Sequence, residues 1–190
     1  MIISTEKKFI FVAVPKTGST SIEKMLERYS DEELEEGKTK HVAFRDIKDI
    51  ESYHKFCFFR NPWDRIVSLY HYQLRNDGIF LSRRVRDVSF DEWLKKCVQQ
   101  SIGAVFRRQT DYILERGKLI PNISIYKFEE IDDSWKHICK TLDLEWSPLP
   151  HTNKSKHKHY SEYYNDETRH LVEIYDHGAI RMMGYEFEEI

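Results

Sequence analysis

Two short stretches concentrate the groups that handle anions. The first is Pro15-Lys16-Thr17-Gly18-Ser19-Thr20-Ser21. Its glycine lets backbone N–H groups come close to a ligand, its hydroxyls donate hydrogen bonds, and Lys16 supplies a full positive charge. The second is Arg60-Asn61-Pro62-Trp63-Asp64-Arg65-Ile66-Val67-Ser68. Arg60 offers a planar, two-pronged grip on phosphate that a lysine lacks. Ser68 lies two helical turns beyond Asn61, on the same side, with a rise of about 10 Å. An extended arginine and that serine can approach one anion from two directions. The same spacing equally allows Arg60 to pair with Asp64 as a structural ion pair, with Ser68 an ordinary helix residue.

The surrounding pattern shows what positions these groups. Residues 9–14 are a continuous apolar, β-branched run, as in a strand buried on both faces of a parallel sheet. Ile22, Met25, Leu26 and Tyr29 then recur at helical spacing, with Ser19, Thr20 and Ser21 as candidate N-caps. The first stretch is therefore strand, tight turn, helix. A helix N-terminus, with its unpaired N–H groups and positive dipole end, favours an anion. Residues 55–60 predict a second buried strand, running into Asn61 as a cap and Pro62 at the first helical position. Arg60 then falls at the carboxyl end of a strand, where open α/β sheets bind ligands.

Further on, residues 75–86 read as a long polar and basic loop, and Ser89 with Glu92 as a capping box. Residues 123–128 predict a strand and residues 132–142 a helix. Asn165 opens another helix, with Thr168, Leu171, Val172 and Tyr175 inward. Strands separated by helices predict an α/β fold, a P-loop-like central parallel β-sheet flanked by helices on both faces. With 190 residues, no repeat and no linker, a single domain over residues 1–190 is expected.

Thirty basic residues against thirty-two acidic ones leave a net charge of −2, which argues against nucleic acid as a partner. Cys57, Cys97 and Cys139 are odd in number with no C-x-x-C pair, so a reduced, cytoplasmic protein with buried thiols is expected. The apolar run after Lys7-Lys8 is too short for a secretory signal, and no stretch reaches the roughly 20 apolar residues that span a bilayer. The tract at residues 151–159 is rich in lysine and histidine, but its spacing fits no zinc site and its lysines repel a cation. No metal is expected.

In the first stretch the lysine precedes the glycine, whereas the nucleotide-triphosphate loop G-x-x-x-x-G-K-[ST] places it last. The second strand ends in Arg60 and not in a metal-binding aspartate, so a P-loop kinase or ATPase fits less well. Two anion stretches at the ends of two strands suit a nucleotide with phosphates at both ends of its ribose. The paired motifs resemble those of PAPS-dependent sulfotransferases, in wording closest to the carbohydrate (family 2) sulfotransferases. PKTGSTS resembles the loop that holds the 5′-phosphosulfate, and FFRNPWDRIVSLY the strand-and-helix element that holds the 3′-phosphate. The resemblance continues through KHVAFRDI (residues 40–47), QTDYI (109–113), YKFEEI (126–131) and LPHTNKS (149–155), and so covers nearly the whole chain.

That resemblance implies the sulfotransferase fold and transfer of a sulfuryl group from 3′-phosphoadenosine-5′-phosphosulfate (PAPS) to an acceptor hydroxyl, leaving 3′,5′-adenosine bisphosphate. It implies that residues 15–21 hold the donor, with Lys16 against the bridging oxygen. Arg60 and Ser68 would hold the 3′-phosphate, and Lys154 and Ser155 would add contacts from a basic flap. His41, in KHVAF, resembles the general base of one branch of the family, while other branches use a glutamate, so a carboxylate stays an alternative. Gln109 and Asp111, with arginines such as Arg83 and Arg84, match the region of the acceptor cleft. A carbohydrate is the default acceptor, although those arginines equally fit a solvated face. A non-catalytic nucleotide sensor would keep Arg60 and Ser68 but tolerate loss of Lys16 and His41, and both are present.

Overall fold

A computed structural model describes residues 1–31, 50–80, 83–100, 106–150 and 157–189. Its first half contains β1 (Ile2–Ser4), β2 (Phe9–Val12), α1 (Ser19–Leu26), β3 (His54–Phe59), α2 (Pro62–Arg75), β4 (Ile79–Phe80), β5 (Arg83–Arg84) and α3 (Phe90–Gln100). The second contains β6 (Leu114–Glu115), β7 (Lys118–Leu119), β8 (Ile123–Lys127), α4 (Ile131–Thr141), α5 (Asp166–Tyr175) and α6 (His177–Met183). By its internal contacts the chain forms two units: Met1–Phe59 with Tyr112–Asn153, and Arg60–Asp111 with Lys154–Ile190.

The first unit holds a sheet in the order β1-β2-β3-β8. β2 runs parallel to β3, with Phe11 opposite Phe56, and β3 parallel to β8, with Cys57 opposite Ile125. The expected parallel centre is present, and β1 adds an antiparallel edge that the sequence pattern did not show. Only residues 5–8 separate β1 from β2, and so short a link can join antiparallel neighbours alone. Phe9, Phe11, Phe56 and Phe58 form the core with Ile22 and Leu26 of α1 and Trp135, Ile138 and Cys139 of α4. Ile10 and Cys57, at the alternate positions, are buried as well. Burial on both faces is why residues 9–14 and 56–59 read as unbroken apolar runs. The result is a mixed α/β architecture, a central parallel sheet flanked by helices.

At the start of β3, the Nε2 atom of His54 is buried without a hydrogen-bond partner among the described residues. Burial, then the neighbouring His137 and Lys55, lowers its pKa from the ordinary histidine value. The unfolded chain therefore takes up this proton first as pH falls through about 6.5, and stability declines below that point while being fully present above it. Urea midpoints should fall between pH 7.5 and pH 5.5, and His54→Gln should flatten part of that slope. An identical slope in the variant would assign the acid sensitivity to other groups.

The second unit is mainly helical, with α2 and α3 packed on α5. Trp63, Phe90, Tyr164 and Phe187 meet ring edge to ring face at its centre. Ser89 Oγ accepts the Glu92 N–H at 3.2 Å at the start of α3. Asn165 opens α5 as read, and with Thr168 it makes a reciprocal capping box. The stretch read as a loop at 75–86 is more ordered than expected. α2 continues through Arg75, and β4 pairs antiparallel with β5. Asp77 turns the chain with φ 49° and pairs with Arg84 at 2.9 Å and with Arg86. Strands of two residues are too short to leave a period in sequence.

Candidate active site

Beyond β2 the chain turns through residues 15–18, and the backbone of both Lys16 and Gly18 is left-handed, with φ 71° and 75°. Gly18 is the N-cap of α1, displacing the serine and threonine caps expected from sequence, and it has no side chain with which to cap that end. The first turn of α1 also carries no acidic residue. The hydroxyl of Thr17 is turned inward, donating to Val14 O at 2.9 Å, and Thr17 is 0% exposed. Ser21 donates its hydroxyl to Pro150 O at 2.7 Å. These two side chains shape the turn, while Lys16 and Ser19 are half-buried and Thr20 is exposed.

Gly18 has a second constraint besides its φ. A Cβ there would lie 2.7 Å from Ile131 Cδ1 and 3.1 Å from Phe128 Cε2. The closeness that sequence reading gave to a ligand is taken by the segment that follows β8. Lysine in the left-handed region costs about 1–2 kcal/mol, and strain of this kind collects at functional sites.

In the second unit, Asn61 Oδ1 accepts N–H hydrogens from Trp63 at 3.1 Å and Asp64 at 3.4 Å, with Pro62 opening α2 as read. Arg60 Nε and Nη2 lie 2.8 Å and 2.7 Å from Asp64 Oδ2, so the ion pair the spacing allowed is present. Two of the five guanidinium donors thus go to one carboxylate oxygen, which fixes the plane of the group. Ser68 is buried, at 3% exposure.

Gln109, expected beside an acceptor, is 0% exposed. Its carboxamide pairs with the Arg60 main chain at 2.8 Å and 2.9 Å. Asp111 pairs with Arg108 at 3.1 Å. Arg83 and Arg84 form β5, with Arg84 on Asp77. His41, Lys154 and Ser155 lie outside the described residues. In the basic tract, His157 stacks on His71 at 5.2 Å, Lys158 pairs with Glu162 at 2.9 Å, and His159 accepts the Ser161 N–H at 3.4 Å.

Cys57, Cys97 and Cys139 are free and buried. Burial pushes the Cys97 thiol up to about 12 and the Cys139 thiol up to about 11, which leaves both protonated and inert near neutral pH. Among the described residues no three His, Cys, Asp or Glu side chains are grouped to hold a metal ion, and no helix is long and apolar enough to cross a membrane.

A lysine-bearing turn before an uncapped helix end, on a central parallel sheet, is the framework of an enzyme that handles anionic group donors. The chain belongs to the sulfotransferase family, which it matches over residues 1–183. Its fold is similar to that of mouse sulfotransferase SULT7A1, solved in complex with PAP. The two share 15% identity and a TM-score of 0.58 over 96% of this chain and 87% of that one. No curated protein gives a significant match.

Proposed function

We propose that residues 1–190 act as one PAPS-dependent sulfotransferase domain, cytoplasmic, that passes a sulfuryl group to a carbohydrate hydroxyl. The observation that carries this reading is the 15–18 turn. Its left-handed Lys16 and Gly18 lead into a helix end with neither a side-chain cap nor an acidic residue. The PAP in the SULT7A1 complex supports the class of donor.

Residues 15–21 are assigned to the 5′-phosphosulfate, and Arg60 and Ser68, with Lys154 and Ser155, to the other phosphate contacts. The acceptor oxygen bonds to sulfur as the bond between sulfur and the phosphate oxygen breaks. The acceptor proton passes to His41, or to a carboxylate in its place, and the charge left on the phosphate oxygen is met by the Lys16 ammonium. Asp111, Arg83 and Arg84 are assigned to an acidic sugar acceptor. Nothing in this chemistry calls for a metal.

Thermal unfolding with 3′,5′-adenosine bisphosphate tests the donor assignment. At 100 times its Kd the ligand should add about 2.7 kcal/mol, a shift of roughly 5–10 °C. Arg60→Ala should lose most of that shift. Stabilisation by ATP with Mg²⁺ and not by the bisphosphate would sink the proposal in favour of a kinase.

A further inference from the structure

The main chain on both sides of the Arg60 Cα is held by one side chain. Gln109 accepts the Arg60 N–H on Oε1 at 2.8 Å and donates one Nε2 hydrogen to Arg60 O at 2.9 Å. Its other Nε2 hydrogen goes to Asp176 Oδ2 at 3.0 Å, and its own backbone N–H goes to Asp176 Oδ1 at 3.2 Å. The carboxamide has one workable orientation, since a flip would set oxygen against oxygen and N–H against N–H at Arg60. Behind it, Arg65 Nη1 lies 3.8 Å from Asp176 Oδ2, and Arg65 Nη2 donates to Arg107 O at 3.0 Å. Gln109, Asp176 and Arg65 are all buried.

Asp176 is the residue between α5 and α6. Close by in α6, a Cβ on Gly178 would come within 2.8 Å of Thr110 Cγ2. The helix pair is therefore pressed directly onto the turn that carries Gln109.

We propose that Asp176, acting through Gln109, is a positioning residue for Arg60, and so for recognition of the 3′-phosphate of the donor. The inference rests on the assignment of Arg60 made above. Well-packed apolar residues would tie α5 to the 109 turn without desolvating a carboxylate and a guanidinium. Burial indeed holds the Asp176 carboxyl above the usual carboxylate range, against the opposing pull of Arg65. What the polar network supplies beyond packing is a fixed backbone conformation at residue 60, because it holds the two peptide groups on either side of that Cα. Binding constellations tolerate only about 0.5 Å of error in such a support.

Calorimetric titration of the full chain with 3′,5′-adenosine bisphosphate and with 5′-AMP tests this. Asp176→Asn keeps the shape but must point its new N–H₂ at one of two Gln109 donors. It should weaken the bisphosphate by about 10–100-fold while leaving the 5′-AMP affinity unchanged. Asp176→Glu keeps both acceptor oxygens and should give a smaller loss, again confined to the bisphosphate, which carries the test if Asp176→Asn does not fold. Equal losses for both nucleotides, or no loss for either, would overturn the positioning role. A wild type that does not prefer the bisphosphate over 5′-AMP would instead overturn the assignment of Arg60.

Discussion

Lys16→Ala should fold as the wild type does and bind 3′,5′-adenosine bisphosphate with little change, yet lose about 10²–10³-fold in kcat. In the proposed reaction the ammonium meets charge that develops on the leaving oxygen as the bond to sulfur breaks. That interaction is stronger in the transition state than in the ground state, so its loss falls on turnover and not on affinity. The slow transfer of sulfate from PAPS to water, followed as release of the bisphosphate, reads this without a known acceptor. Lys16→Gly separates charge from strain. The φ of 71° costs a lysine or an alanine about 1–2 kcal/mol and a glycine almost nothing. Lys16→Gly should therefore raise the melting temperature while turning over as poorly as Lys16→Ala. Normal turnover in either variant would remove Lys16 from the mechanism.

Gly18→Ala should cost about 2–4 kcal/mol of stability, the sum of a left-handed alanine and an overpacked contact. Two features of the structure set this figure: the φ of 75°, and the 2.7 Å approach of Ile131 Cδ1 to the position of the new methyl. The terms can be separated. Ile131→Val deletes the offending Cδ1, so Gly18→Ala with Ile131→Val should recover the larger part of the overlap and leave the backbone cost with the milder Phe128 contact. Urea unfolding of the two single variants and the double one completes the cycle. A loss below about 0.5 kcal/mol for Gly18→Ala, the range of ordinary surface changes, would show that the turn adjusts freely.

The parts of the fold that were legible in sequence are those written in short-range patterns. The strand around Phe56 is apolar from Phe56 to Phe59 because both of its faces are buried there. Asn61, followed by Pro62, and Asn165 announce their helix starts because a cap bonds to residues two or three further on. The turn at Lys16 was legible as a turn between strand and helix from its residue types. Its geometry was not, because the reason for Gly18 lies in Phe128 and Ile131, far along the chain.

Gln109 shows the same limit more sharply. A single glutamine in a short 3-10 turn has no periodicity, and its partners stand 49 and 67 residues away. QTDYI and YKFEEI were visible as wording shared with a family. Their physical work, buttressing Arg60 and Gly18, needed coordinates. The edge strand β1 and helix α6 stayed hidden because three and seven residues are too few to establish a pattern.

The closure of Gln109 on Arg60 also bears on how such a chain can diverge. The ring it forms spans 49 residues of sequence and is sealed by hydrogen bonds at its two ends. Doubling the length of such a ring adds only about 0.6 kcal/mol of closure entropy. Added length within that ring therefore costs little in closure entropy, provided it spares the buried Val85 and Val88 and the glutamine returns to the same backbone groups. Lineages of this architecture are free to lengthen that interval, and acquire new surface there, while the arginine keeps its place.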